Sequence, residues 1–190
     1  VEAWIYPTNF TGSYIALWDW RSNTDNTPSL WLYISGSTAA LTWYAGTEVI
    51  QGSYSDAQTI YANRQWYHVA LSRKSGVNRM FLNGILENSW ADTVDVDAPS
   101  STLWIGQDDP GSNDFEGYLS NVRVIKGTAL YTEKFIPPTS PLTNVINTKL
   151  LCCQSNGSAT TAAVTPGTIT ANGSAAASSY NPFNNCLLYT

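Results

Sequence analysis

At 190 residues the chain is long enough for one sizeable β-type domain, which at this length buries about 70% of the surface its unfolded chain exposes. Charged residues make up 12% and aromatics 13%, with eight Trp, eleven Tyr and one His, and this excludes a disordered chain, a coiled coil and a charge-laced helical bundle. Nine Lys plus Arg against fourteen Asp plus Glu give a net charge of −5, no apolar run approaches the roughly 18 residues of a membrane span, and neither a nucleic-acid partner nor membrane insertion is expected.

The hydrophobic period is two. Val1 to Pro7 alternates and is stopped by Pro7; Tyr14 to Trp20 and Ser29 to Ser35 are aromatic and β-branched runs on either side of a polar turn. Ala39 to Tyr44, Glu48 to Tyr54 and Trp66 to Arg73 continue the pattern, with Trp66 read as a core anchor. Arg79 to Leu82, Asn83-Gly84 and Ile85-Leu86 form the clearest hairpin, since Asn-Gly supplies the positive φ angles of a type I′ turn. Leu103 to Gly106 and Gly117 to Lys126 flank an acidic loop. One helical turn is expected, near Ser55 to Ile60. Short strands at intervals of roughly 8–12 residues with Gly, Asn and Ser turns predict an all-β sandwich or barrel.

After Gln154 the composition turns to Ser, Thr, Ala, Gly and Asn. A linker is one reading. The β-prone pieces Ala163-Val164, Thr168 to Thr170 and Tyr180 to Phe183 favour a late hairpin that returns to the sandwich. The chain opens inside a strand without Met, as a piece of a longer protein would. Cys152, Cys153 and Cys186 are too few and too oddly spaced for a disulfide framework. They read as packed thiols, with one bridge from Cys186 to Cys152 or Cys153 as the alternative.

Four segments in register carry a family resemblance: Val1-Glu2-Ala3-Trp4-Ile5-Tyr6-Pro7, Gln65-Trp66-Tyr67-His68-Val69-Ala70-Leu71-Ser72-Arg73, Phe81-Leu82-Asn83-Gly84, and Phe115 to Val124 with its Gly117-Tyr118-Leu119-Ser120-Asn121-Val122-Arg123 centre. Together they resemble the concanavalin A-like lectin/glucanase superfamily, in its laminin-G-like and pentraxin-like branch, over about Val1 to Lys126. The resemblance implies a two-sheet antiparallel jelly-roll sandwich. Asn121 to Tyr131, Phe135 to Leu142, Thr148 to Ser155 and the closing Tyr180-Asn181-Pro182-Phe183 further resemble domains of tailed-bacteriophage structural proteins. On this basis residues 1–154 form the laminin-G-like sandwich, and 155–190 are a C-terminal segment of the same domain.

Catalysis is not expected. Glucanases of the superfamily need paired carboxylates on one strand, about 5–5.5 Å apart, in a Glu-x-Asp-x-x-Glu pattern that this chain lacks. Asp95-Val96-Asp97 comes nearest and runs into Ala98-Pro99. His68 stands within the family's Trp-x-His-Val motif, where it is structural, and no Gly-x-Ser-x-Gly elbow accompanies it.

Sugar rings stack on aromatic faces, and Trp18, Trp20 and Trp90 sit at strand ends beside polar loops. Alternation puts Trp18 and Trp20 on one face, as a ligand platform or as a core edge. Trp4, Trp31, Trp43, Trp66 and Trp104 read as packing. Eight of the fourteen carboxylates lie between Glu87 and Glu116, where no Lys or Arg occurs. Gln107 and Asp108 align with the Gly-Gln-acid calcium loop of pentraxin-like relatives. With Asp109 and Asp114 they form the candidate calcium site; a solvated acidic rim is the alternative.

The expected function is a non-catalytic virion surface module that binds a glycan or host-surface receptor. It would contact other virion proteins and, as a homo-oligomer, a second copy of itself. A purely architectural virion domain and a secreted, extracellular laminin-G-like adhesion domain are the alternatives.

Overall fold

The computed structural model describes residues 1–8, 14–20, 28–35, 38–45, 48–51, 64–92, 102–108 and 113–183. These residues form strands β1 (Glu2–Pro7), β2 (Tyr14–Asp19), β3 (Pro28–Ser35), β4 (Thr38–Ala45), β5 (Glu48–Gln51), β6 (Tyr67–Lys74), β7 (Val77–Leu82), β8 (Ile85–Ala91), β9 (Trp104–Ile105), β10 (Gly117–Ile125), β11 (Thr148–Cys152) and β12 (Ala162–Val164), and no helix. A seven-stranded sheet runs β12-β11-β10-β1-β6-β7-β8 and a five-stranded sheet β5-β4-β3-β2-β9. Every pairing is antiparallel, as in a jelly-roll sandwich. The turn expected near Ser55 to Ile60 lies outside the described residues.

Period two builds the core. Ala3 and Ile5 of β1, Tyr67, Val69 and Leu71 of β6, Met80 and Leu82 of β7, and Val122 and Val124 of β10 face inward. They meet Ile15, Leu17, Leu30, Leu32, Leu41 and Trp43 of the second sheet. Each enclosed aliphatic side chain is worth about 1.5–3 kcal/mol. Trp66 is not part of this core. Tyr67, 2% exposed, takes the inward position, and alternation sends Trp66, His68 and Ala70 to the outer face.

Several register shifts interrupt the ladders, and two of them decide which side chains reach the core and the outer face. In β2 the register shifts between Ala16 and Trp18, so Leu17 and Trp18 both enter the core. Between β1 and β10, Glu2 pairs with Arg123 while Trp4 pairs with Ser120, which leaves one extra residue on β10. Asn121 lies in that bulge with φ 54°. The bulge puts Ser120 and Arg123, three residues apart, on the same outer face.

The expected hairpin is present, with Asn83 at φ 50° and Gly84 at φ 77°. From its turn the chain after β10 crosses the outer face of the larger sheet. Phe135 N–H donates to Gly84 O at 3.0 Å, and Leu142 N–H donates to Asn121 Oδ1 at 2.8 Å. In the C-terminal segment Ala162–Val164 pairs with β11, Thr168 to Thr170 is not a strand, and Tyr180 and Phe183 rest on rings of the outer face.

Candidate functional site

Strand β1 organises the outer face of the larger sheet, because Glu2, Trp4 and Tyr6 point the same way along it. The three side chains begin different environments. Glu2 enters a buried polar network, Trp4 meets His68 edge-on at 5.2 Å, and Tyr6 joins a set of partly exposed rings.

The network is closed around one carboxylate. Arg123 donates from Nε and Nη2 to Glu2 Oε1 at 2.9 and 2.6 Å, and from Nη1 to Thr143 O at 2.8 Å. Tyr131 O–H donates to Glu2 Oε2 at 2.8 Å, and His68 Nε2 lies 3.0 Å from the same oxygen. Burial alone would push the Glu2 carboxyl up, but the His68 hydrogen bond and the Arg123 charge outweigh it and bring it down to about 2. Burial, then the Glu2 carboxylate, push the Tyr131 phenol up. Phe81, Tyr131 and Phe135 close the cluster, with the last two stacked at 3.6 Å. A carboxylate held ionised, dry and fully paired is neither a general acid nor a nucleophile; it ties the crossing segment to the sheet.

A second set of rings, two half-buried and two exposed, lies at the other end of the same row. Tyr6 of β1, Trp66 beside β6, Tyr118 of β10 and Tyr180 of the C-terminal segment are mutual neighbours. Their centroids lie 5.6 Å apart for Tyr6–Trp66, 5.1 Å for Tyr6–Tyr180, 5.5 Å for Trp66–Tyr180 and 4.8 Å for Tyr118–Tyr180. Tyr118 is 38% exposed and Tyr180 46%. The result is an open aromatic surface with phenolic hydroxyls, suited to a ligand with one apolar face and several hydroxyls. The sequence reading missed it. The outward alternation of Tyr6 and Tyr118 was a usable signal, but Tyr180 comes from a segment whose position only the fold reveals.

Of the two readings of Trp18 and Trp20, a ligand platform or a core edge, their burial matches the core edge, and Trp90 is packed as well. Trp18 is 2% exposed inside the sandwich, placed there by the β2 bulge, and an enclosed ring has no free face to offer. Trp20 and Trp90 are half-buried against the core, and Trp90 meets Trp43 at 6.1 Å. In the acidic loop Asp108 is buried. It accepts from Asn113 N–H at 3.0 Å and from Asn113 Nδ2 at 2.7 Å, so this carboxylate holds the loop's own shape. Gln107 is half-buried, Asp114 is exposed, and Asp109, Asp95 and Asp97 lie outside the described residues. Among the described residues no group of three or more His, Cys, Asp or Glu is placed to hold a metal ion. Cys152 and Cys153 are free thiols, and Cys186 is outside the described residues. No described helix is long and apolar enough to cross a membrane.

Comparison with known proteins agrees with this architecture. A solved structure of a candidate carbohydrate-binding protein from Bacteroides ovatus ATCC 8483 superposes with a TM-score of 0.56 at 18% identity. The match covers 79% of this chain and 43% of that one, so the present chain spans less than half of its length. No curated protein matches the sequence. The family model for the concanavalin A-like lectin/glucanases superfamily, of laminin-G type, matches residues 1–133. On that match and the two-sheet jelly roll, the chain belongs to the concanavalin A-like lectin/glucanases superfamily.

Proposed function

We propose that the chain is a non-catalytic glycan-binding module whose contact surface is the outer-face set of Tyr6, Trp66, Tyr118 and Tyr180. The observation that carries this reading is the partial exposure of Tyr118 and Tyr180 within a four-ring cluster. Pyranose C–H groups stack on the electron-rich ring faces while phenolic hydroxyls meet the sugar's own. The carbohydrate-binding description of the Bacteroides ovatus protein supports the ligand class. The full pairing of Glu2 supports binding without hydrolysis, because glycoside cleavage requires a second carboxyl with a raised pKa facing the bond.

The finer reading is a virion-surface module of a tailed phage, with the glycan on a host surface. It rests on the phage-like motifs between Asn121 and Ser155 and the closing Tyr180 to Phe183. Those residues include β10, β11 and the segment that crosses the outer face, so an architectural role in a particle uses them equally well. A glycan array separates the two. Hits that Tyr118→Ala and Tyr180→Ala each weaken at least tenfold, with melting temperature retained, are expected for adhesion; a flat array favours architecture. Peptides of this chain in purified phage particles would test the location.

A further inference from the structure

Neighbouring residues in a regular strand send their side chains to opposite faces. Cys152 ends β11 with its thiol in the inter-sheet core, 2% exposed, so Cys153 should point away from it. It does not. Cys153 has φ 59°, a conformation uncommon for a residue with a Cβ, and its sulfur lies 3.6 Å from that of Cys152 while its side chain packs against the same core. This turn is held from outside. Asn121 N–H donates to Cys153 O at 3.0 Å, and Gln154 Nε2 donates to Asn121 Oδ1 at 2.7 Å and to Leu142 O at 2.8 Å. The two thiols are therefore held side by side by the β10 bulge and the clamp built on it.

We propose that Cys152 and Cys153 are a modification site, a dithiol that a small disulfide such as oxidised glutathione converts reversibly into a disulfide between adjacent residues. Cys153 is half-buried and Cys152 enclosed, so Cys153 makes the first attack. The contact between the two sulfurs holds the Cys153 thiol below its usual range, against the opposing effect of burial, and raises that of Cys152. The Cys153 thiolate attacks one glutathione sulfur, forms a mixed disulfide and expels the first glutathione thiolate. Cys152 then gives up its proton, attacks the Cys153 sulfur and expels the second. Two protein thiols lose two electrons and two protons, and the glutathione disulfide takes up both to become two thiols. Adjacent Cα atoms are about 3.8 Å apart, below the usual disulfide range of about 4.4–6.8 Å, so the ring is strained and easily reduced.

Lys149 is the last basic residue, so one tryptic peptide carries all three cysteines and a variant must separate them. Folded Cys186→Ser protein is treated with oxidised glutathione, acid-quenched and weighed intact. A loss of about 2 Da that excess reduced glutathione reverses is expected, because two hydrogens leave. Cys152→Ser/Cys186→Ser should instead stop at a stable glutathione adduct on Cys153. Faster oxidation of the folded protein than of the urea-unfolded protein is expected, since the fold presets the turn. A Cys186→Ser protein that keeps both thiols or stops at a mixed adduct would overturn the proposal, as would equal rates in the two states.

Discussion

Arg123 and Glu2 face each other across the β1–β10 register, and both Nε and Nη2 of the arginine converge on Oε1 of the carboxylate. Both side chains are almost dry, at 6% and 4% exposure. Removing one partner strands the other charge away from water, which costs about 3–5 kcal/mol. Glu2→Ala and Arg123→Ala should each lower stability by that amount in urea unfolding. The double variant should lose less than the sum of the two. Strict additivity would show that the pair is not energetically coupled.

The same carboxylate sets an acid limit. Its pKa in the fold is about 2, below the ordinary carboxylate value. A group depressed in this way contributes stability above its unfolded pKa, and the contribution is lost as pH falls toward the folded value. Between about pH 5 and pH 2 the parent protein should lose about 3 kcal/mol more than Glu2→Gln, whose amide does not titrate. Parallel pH profiles for the two proteins would remove Glu2 from the acid transition.

Trp18 and Trp66 should respond oppositely in stability and binding. Trp18→Ala empties a site in the sandwich and should cost about 3–5 kcal/mol. Trp66, half-buried on the outer face, should cost less than half as much and should reduce glycan binding. Equal losses of stability would place Trp66 in the load of the core rather than in the ring surface.

Gly84 is a steric requirement. A Cβ there would stand 1.9 Å from Phe135 O, against backbone that cannot swing aside, and its φ of 77° adds strain. Gly84→Ala should cost at least about 2 kcal/mol and loosen the crossing segment around Phe135. Hydrogen exchange at the Phe135 amide, whose acceptor is Gly84 O, reads this directly.

Asp108 tests the acidic loop. Its two bonds to Asn113 predict that Asp108→Ala costs about 1–3 kcal/mol whether or not calcium is present. Melting the parent in millimolar calcium and in excess chelator isolates any ion. Calcium at a hundredfold excess over its Kd would add about 2.7 kcal/mol. A reversible upward shift would put an ion on Gln107, Asp108, Asp109 and Asp114; matching curves would leave the loop as a solvated rim held by its own hydrogen bonds.

Alternation, turn chemistry and composition were enough to determine most of the strands, the Asn83-Gly84 hairpin and the all-β sandwich, because they are local properties of the chain, whereas β11 was not read as a strand. His68 was marked as structural by the family resemblance rather than by these local rules, and the structure buries its ring beside Glu2. Local rules failed at the bulges. One extra residue in β2 turned Trp18 inward, and one in β10 put Arg123 beside Glu2, since a single insertion reverses every side chain beyond it. The aromatic surface was out of reach for a different reason. Tyr6, Trp66, Tyr118 and Tyr180 are as much as 174 positions apart, and no short-range pattern records that β1, β6 and β10 are sheet neighbours or that the C-terminal segment returns to cover them. Long-range strand order and the packing of the two crossing segments decided that surface, because they bring the aromatic rings and the Glu2–Arg123 pair of the outer face together from distant parts of the chain.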